Sequence, residues 1–404
     1  MPIHTNRHYL VVLAFCIRCS VGLRAEEPRD AFREGYEKSG SIIAPAQIMD
    51  RNVTCILDTG ASTCVLDTRF AATLQKPVGK EQARTASGLI TVERYERISQ
   101  RFMAFPQITG PAVAVDLSGF SVTTGMQIDA ILGMDFLKRS VFQISNGTPR
   151  FRNRNDLERD SISTSYPVKM IRGLPYTEVE LPVLGDRPFL IDTGDADYCG
   201  ITKDYADRLI RTHDAVLLEE IPTLDASGLR KKNLYVIREI QVFGITMRDV
   251  PAGESAVNGI GMGLMRHLDF SVDFENSVAY VLPPSRSAVS FDLDASGLRT
   301  VFQPDRGRIV RRIVPDSPAE KNKIQVGDQL LEIDGCVASE LSFWETWALL
   351  SQAGKTIPIK VKSGDQVRNI QLPLRRNFEY PPKWKPRSTN ADDFLKSLKN
   401  EAKP

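Results

Sequence analysis

Cys55-Ile56-Leu57-Asp58-Thr59-Gly60-Ala61-Ser62 is the stretch on which the reading of this chain turns. An apolar run carries a carboxylate into a tight Asp-Thr-Gly turn, where Gly60 lets backbone approach the acid closely. The pattern returns as Phe189-Leu190-Ile191-Asp192-Thr193-Gly194. Further landmarks recur in the same order. Ala86-Ser87-Gly88-Leu89 reappears as Ala226-Ser227-Gly228-Leu229, and Gly133-Met134 as Gly261-Met262, with basic residues following at Lys138 and Arg266. Val141-Phe142-Gln143-Ile144 returns in outline as Asp269-Phe270-Ser271-Val272. Ordered self-similarity of this kind predicts an internal repeat, here two β lobes over residues 41–152 and 166–284.

Short apolar runs bounded by turn residues predict strands throughout both lobes. In the first, Ser41-Ile42-Ile43 and Ala46-Gln47-Ile48 precede a turn at Asp50-Arg51-Asn52, and Val53 to Leu57 returns. Arg69 to Leu74 and Met134 to Leu137 read as short helices. Residues 153–165, charged and hydroxyl-rich, read as a linker.

Two aspartates on facing turns suit hydrolysis without a metal or a nucleophilic side chain. Held close together they cannot both ionise easily, so they share one proton. The ionised member takes a proton from water and the protonated member polarises the scissile carbonyl. The pair titrates as a unit, which leaves the individual roles of Asp58 and Asp192 open. Thr59 and Thr193 are placed to hydrogen-bond across the lobe interface and hold the turns in register.

The remaining composition narrows the alternatives. A formal charge of +2 over 404 residues, with no basic stripe, argues against a nucleic-acid surface. With four histidines in the chain, no Cys/His spacing suggests a metal site, and no cofactor is expected. Residues 1–25 read as a secretory signal: Arg7 and His8 precede the apolar run Tyr9 to Ile17, and Ala25 precedes Glu26-Glu27. The expected location is periplasmic or extracellular, with no stable membrane span. Residues 26–40 are a polar lead-in. Of the cysteines beyond the leader, Cys55 and Cys64 flank the first acidic turn and either pair or remain buried thiols.

In these residues the chain resembles the retroviral-type (retropepsin-like) aspartic peptidases. Asp58-Thr59-Gly60-Ala61-Ser62 resembles their catalytic motif, and Ile131-Leu132-Gly133 their segment supporting the active-site loop. The resemblance implies a flap that closes over substrate, carried here by Ser87-Gly88 and Ser227-Gly228. It also implies a mainly β fold in which two lobes of one chain form a pepsin-like pseudo-dimer acting on peptides or proteins. The second lobe departs from the family pattern. Asp195 stands where Ala, Ser or Thr is usual, and Gly259 where the support segment is normally bulky. A third carboxylate raises the dyad pKa or draws its proton away. It either faces outward and selects a basic substrate side chain, or marks a non-catalytic peptide-binding adaptor.

Pro283-Pro284 mark a further boundary. Residues 290–375 carry Ser317-Pro318-Ala319-Glu320, Gly327-Asp328-Gln329-Leu330-Leu331 and Asp334-Gly335 in order. They resemble a PDZ domain of the bacterial envelope-protease form. The resemblance implies peptide binding by strand addition, with capture of a C-terminal carboxylate by the Ser296-Gly297-Leu298-Arg299 loop and a groove helix over Phe343 to Ser351. The Leu-Asp-Ala-Ser-Gly-Leu-Arg sequence at 293–299 also occurs at 224–230, where the expected setting is the flap. Residues 376–404 read as a disordered tail.

Overall fold

The structure is a computed structural model that describes residues 36–382 except 38, 86–87, 104, 157–162, 226–227, 284–287, 304 and 377. The expected leader (1–25), most of the lead-in, the expected flap residues Ser87 and Ser227, and the expected tail beyond residue 382 lie outside the described residues. The protein is mainly β, built on several sheets.

The first half contains β1 (Ile43–Ile48), β2 (Arg51–Leu57), β3 (Cys64–Asp67), β4 (Gly79–Thr85), β5 (Gly88–Arg101), β6 (Ile108–Val115) and β7 (Ala130–Leu132). Its helices are α1 (Thr68–Ala71), α2 (Ser118–Thr124) and α3 (Met134–Leu137). The strand order is β1-β2-β7-β3-β6-β5-β4, with β1 also meeting β5. The β1–β2 turn lies at Met49-Asp50, one residue before the expected place. Both residues have positive φ (50° and 61°), which suits a two-residue hairpin matching strand twist.

β8 (Ser140–Ser145) and β9 (Thr148–Asn153) leave this sheet, and β10 (Thr164–Pro167) opens the second half. There follow β11 (Lys169–Ile171), β12 (Leu174–Leu181), β13 (Gly185–Ile191), β14 (Cys199–Ile201), β15 (Ala215–Asp225), β16 (Gly228–Val242), β17 (Ile245–Glu254) and β18 (Gly259–Ile260). Helix α4 (Lys203–Arg211) follows β14, and α5 (Met262–Met265) follows β18. The order β12-β13-β18-β14-β17-β16-β15, with β12 also meeting β16, repeats the first half strand for strand.

β19 (Phe270–Asp273) and β20 (Val278–Val281) complete a five-stranded sheet, β10-β20-β19-β8-β9, that draws on both halves. Phe270 pairs with Ile144 and Val272 with Phe142. Phe142, fully buried, meets Phe151 at a tilt (5.1 Å) and Phe270 edge-on (5.9 Å). One hydrophobic core runs from Ile42 through Phe142 and Phe189 to Phe270, so the halves share an interior. Both ends of the expected linker are structured. Thr164–Pro167 pairs with β20, and Arg154 binds the carboxylates of Asp273 and Glu275.

β21 (Ala288–Ser290) pairs with β17 and leads into the third unit: β22 (Leu298–Gln303), β23 (Gly307–Ile313), β24 (Gln329–Ile333), β25 (Cys336–Val337), β26 (Thr356–Ser363) and β27 (Gln366–Pro373). It has its own core around Val310, Leu330, Ile333, Ile359 and Val361. Helix α6 (Pro318–Lys321) starts at Ser317, whose hydroxyl accepts from Glu320 N, and α7 (Phe343–Leu350) starts with a Ser342/Glu345 capping box.

Helix α7, the expected groove helix, packs its aromatic side against distant parts of the chain. Trp344 is buried, with Tyr36 at 6.1 Å and the Arg266 guanidinium 4.2 Å above its ring, and Trp347 lies 5.9 Å from Tyr198. Aromatic burial of this area outweighs leaving such a face open to solvent. The start of the expected disordered tail is also ordered. Phe378 is buried, Arg238 lies 4.1 Å over Tyr380, and His213 Nδ1 meets Pro382 O at 2.7 Å. Cys55, Cys64 and Cys199 are buried free thiols.

Candidate active site

The two acidic turns meet where the two halves join. Each begins where a strand ends beside a parallel neighbour. Asp58 N donates to Leu132 O on β7, and Asp192 N to Ile260 O on β18, both at 3.0 Å. The glycine at Gly259 does not prevent this pairing, because its partner contact, Leu190 against Gly259, is made by backbone.

Thr59 and Thr193 lock the turns together. Thr59 N donates to Thr193 Oγ1 and Thr193 N to Thr59 Oγ1, each at 3.0 Å. Their hydroxyls donate onward to Ile191 O (2.5 Å) and Leu57 O (2.9 Å) on the opposite strands. Both threonines are fully buried, so each of these groups would be costly to leave unpaired.

The glycines allow the carboxylates in. A Cβ on Gly60 would sit 2.6 Å from both Asp192 oxygens, and one on Gly194 would collide with the Asp58 carboxyl. Each aspartate therefore lies over the other's glycine. Gly60 N donates to Asp58 Oδ1 at 2.6 Å, and Gly194 N to Asp192 Oδ1 at 3.0 Å. Burial pushes Asp58 above the usual carboxylate range. Asp192 is pushed well above it, by burial first and then by the charges of Asp58 and Asp195. The geometry is that of a proton-sharing pair.

Gly133 and Gly261 sit behind the loops. A Cβ on Gly133 would lie 2.6 Å from Thr63 O, and one on Gly261 would clash with Asp197 O. Met134 N and Met262 N donate to Ala61 O (2.7 Å) and Asp195 O (2.8 Å), so Asp195 occupies the place of Ala61.

The Asp195 carboxylate hydrogen-bonds within its own loop, while its charge is felt at Asp192. Its Oδ1 accepts from Asp197 N at 2.9 Å, while its backbone N donates to Asp192 Oδ1 at 3.2 Å. Burial and the Asp197 charge push it up to about 6. Asp197, more exposed, is held below its usual range by Lys232, whose Nζ is 2.7 Å from Oδ2. Sequence reading missed Lys232. Laying the two repeats side by side from the Ala-Ser-Gly-Leu landmark would have set it against Val92.

Gly88 and Gly228 begin the return strands of two long hairpins, paired with Thr85 and Asp225. The second copy of the Leu-Asp-Ala-Ser-Gly-Leu-Arg sequence has a different form, because in it Asp294 caps a loop. Ser296 N (3.1 Å) and Gly297 N (2.9 Å) donate to Asp294, as does the Ser296 hydroxyl, and Leu298 N donates to Ser296 Oγ (3.0 Å). Leu298 is buried in the third unit's core, and Arg299 pairs with Asp294 (2.6 Å) and Glu219 (2.9 Å). Residues 296–299 do come together, but the Ser296 and Gly297 amides expected to capture a terminal carboxylate are spent on Asp294, and the Leu298 amide on Ser296 Oγ. An Asp two positions before the Ser is a local signal for such a turn.

Among the described residues, no group of three His, Cys, Asp or Glu is placed to hold a metal ion, and no helix is long and apolar enough to cross a membrane.

Residues 44–136 match the aspartyl protease family, and residues 288–362 match the PDZ domain. The chain thus joins an aspartyl protease-like domain to a domain of the peptide-binding PDZ class. The protease match covers the first acidic turn and its support segment; the PDZ match begins at β21 and ends within β26. Among solved structures, the chain is similar to a photosystem II D1 C-terminal processing protease at 23% identity and a TM-score of 0.20. That likeness covers 22% of this chain and 25% of the other.

Proposed function

We propose that the chain is an aspartic endopeptidase in which Asp58 and Asp192, both supplied by one polypeptide, share a proton and activate water for attack on a peptide bond. The observation that carries this is the mutual approach of the turns, each aspartate lying over the other's glycine. The ionised carboxylate takes a proton from water while its protonated partner donates to the scissile carbonyl. The proton then passes to the leaving amine. The identical strand order supports reading the second half as a repeat of the first. Direct contact of the Asp195 carboxylate with the dyad would favour the adaptor reading; its hydrogen bond goes to Asp197.

The PDZ domain, in this reading, recruits peptide by strand addition and raises its effective concentration near the cleft. Export to the periplasm or cell exterior is proposed on the leader alone.

The test is cleavage of a mixed peptide library between about pH 3 and 8, read by mass spectrometry. It compares the wild type with Asp58→Asn and Asp192→Asn. Both variants should remain folded and lose at least about a thousandfold in rate. A wild type that cleaves nothing, or variants that still cleave, would overturn the proposal.

A further inference from the structure

The two halves differ most in one place beside the dyad. In the first half, Val92 on β5 is buried with Ile43, Ile56, Val113 and Ile131, beneath Leu117 and Ile128. The cross-strand registers Tyr95 with Ala112 and Tyr235 with Ala252 align the hairpins, and set Lys232 in the place of Val92. Gly253 and Gly259 then take the places of Val113 and Ile131. The segment carrying α2 between β6 and β7 has as its counterpart only Ser255-Ala256-Val257-Asn258. Space filled by apolar side chains in the first half is opened by glycines in the second. Lys232 runs through it, its Nζ 3.1 Å from where a Gly253 Cβ would stand.

From there Lys232 reaches the acidic loop. Its Nζ binds Asp197 Oδ2 at 2.7 Å, Asp197 N donates to Asp195 Oδ1 at 2.9 Å, and Asp195 N donates to Asp192 Oδ1 at 3.2 Å. We propose that Lys232 is a positioning residue for the dyad: from the flap strand it anchors the Asp192–Asp197 loop and supplies the cation that offsets the two extra carboxylates of that loop. The inference rests on the endopeptidase reading for its effect on turnover, though not for its effect on the loop.

Several charges act on this loop. Asp197 and Asp58 oppose ionisation of Asp195 and Lys232 favours it; the Asp195 charge in turn raises Asp192, and the Cys199 thiol lies within its field. Tyr176 feels Asp192 from β12, with Arg172 opposing that effect. The Lys232 ammonium favours the ionised forms of both Asp195 and Asp197. Removing it leaves Asp195 and Asp197 holding their protons to higher pH.

The experiment compares wild type, Lys232→Met, Lys232→Arg, Asp197→Asn and Lys232→Met/Asp197→Asn. It uses two readouts: the pH profile of kcat/KM on a peptide found by the library screen, and the carbon-13 titration of aspartate side chains. In Lys232→Met, both limbs of the profile and the Asp195 midpoint should move up by about one pH unit, and the rate at the optimum should fall about tenfold. Lys232→Arg should restore both. Asp197→Asn should move the Asp195 midpoint down, and the double variant should bring it back toward wild type. A folded Lys232→Met with unmoved profile and midpoint would overturn the proposal. So would an unmoved midpoint in Asp197→Asn, should Lys232→Met fail to fold. If the wild type shows no cleavage, the endopeptidase reading fails, while the Asp195 midpoints still decide the role of Lys232.

Discussion

Asp195 and Ala61 accept the same backbone hydrogen bond in their respective loops, yet only Asp195 must be ionised in a crowded acidic setting. Its pKa of about 6 lies above that of an aspartate in the unfolded chain, near 4. Its contribution to stability is therefore full below about pH 4 and is lost as pH rises through about 6. Asp195→Asn keeps an oxygen for Asp197 N and removes the charge. It should raise the melting temperature at pH 7.5 by roughly 2–4 °C and change it little at pH 4. An equal change at both pH values would show that charge is not the cause. Asp58 and Asp192 are shifted in the same direction, so the singly protonated dyad persists above the pH range of ordinary carboxylates.

At the scale of elements, the β15–β16 hairpin is held by the PDZ domain as well as by its own sheet. Glu219, at a bulge of β15, receives Arg299 at 2.9 Å and Arg312 at 2.7 Å from β22 and β23. It is nearly buried, so this fork is worth more than a surface ion pair. Arg299 also grips Asp294, which ties the hairpin to the loop whose amides Asp294 occupies. A ligand carboxylate seeking those amides meets a carboxylate already seated there. Strand addition without carboxylate capture therefore predicts that a PDZ-binding peptide and its C-terminally amidated form bind within about twofold of each other. Titration calorimetry checks this, and a preference of tenfold or more for the free acid would show that Asp294 is displaced.

At the scale of the whole molecule, both carboxylates come from one chain, and an inter-half sheet pairs β8 with β19 across a continuous core. The active species should therefore sediment as a monomer, at most 45.1 kDa, with specific activity unchanged on dilution. Activity falling with dilution, alongside a dimer in ultracentrifugation, would place the dyad between chains instead.

Much of this architecture was legible in the sequence because the signals are local and repeated. The apolar run before each Asp-Thr-Gly, the glycines at Gly133 and Gly261 and the Ser-Pro-Ala-Glu cap depend on neighbours a few residues away. They predicted the two β halves, the facing turns and the PDZ domain. What they could not convey was which surfaces meet. The aromatic face of α7 is spent on Tyr198 and Arg266, residues far away in the chain. Phe378 and Tyr380 lie in a stretch whose composition reads as disordered, until Arg238 is brought over the Tyr380 ring and Arg376 meets Asp249. By itself the sequence determined the acids, the turns that present them and the strands that deliver them, since each rests on backbone conformation and short-range periodicity. Only the tertiary structure decided that Lys232 spans the glycine gap to Asp197 and that Arg299 and Arg312 fork onto Glu219, because such partners are settled by distance in space.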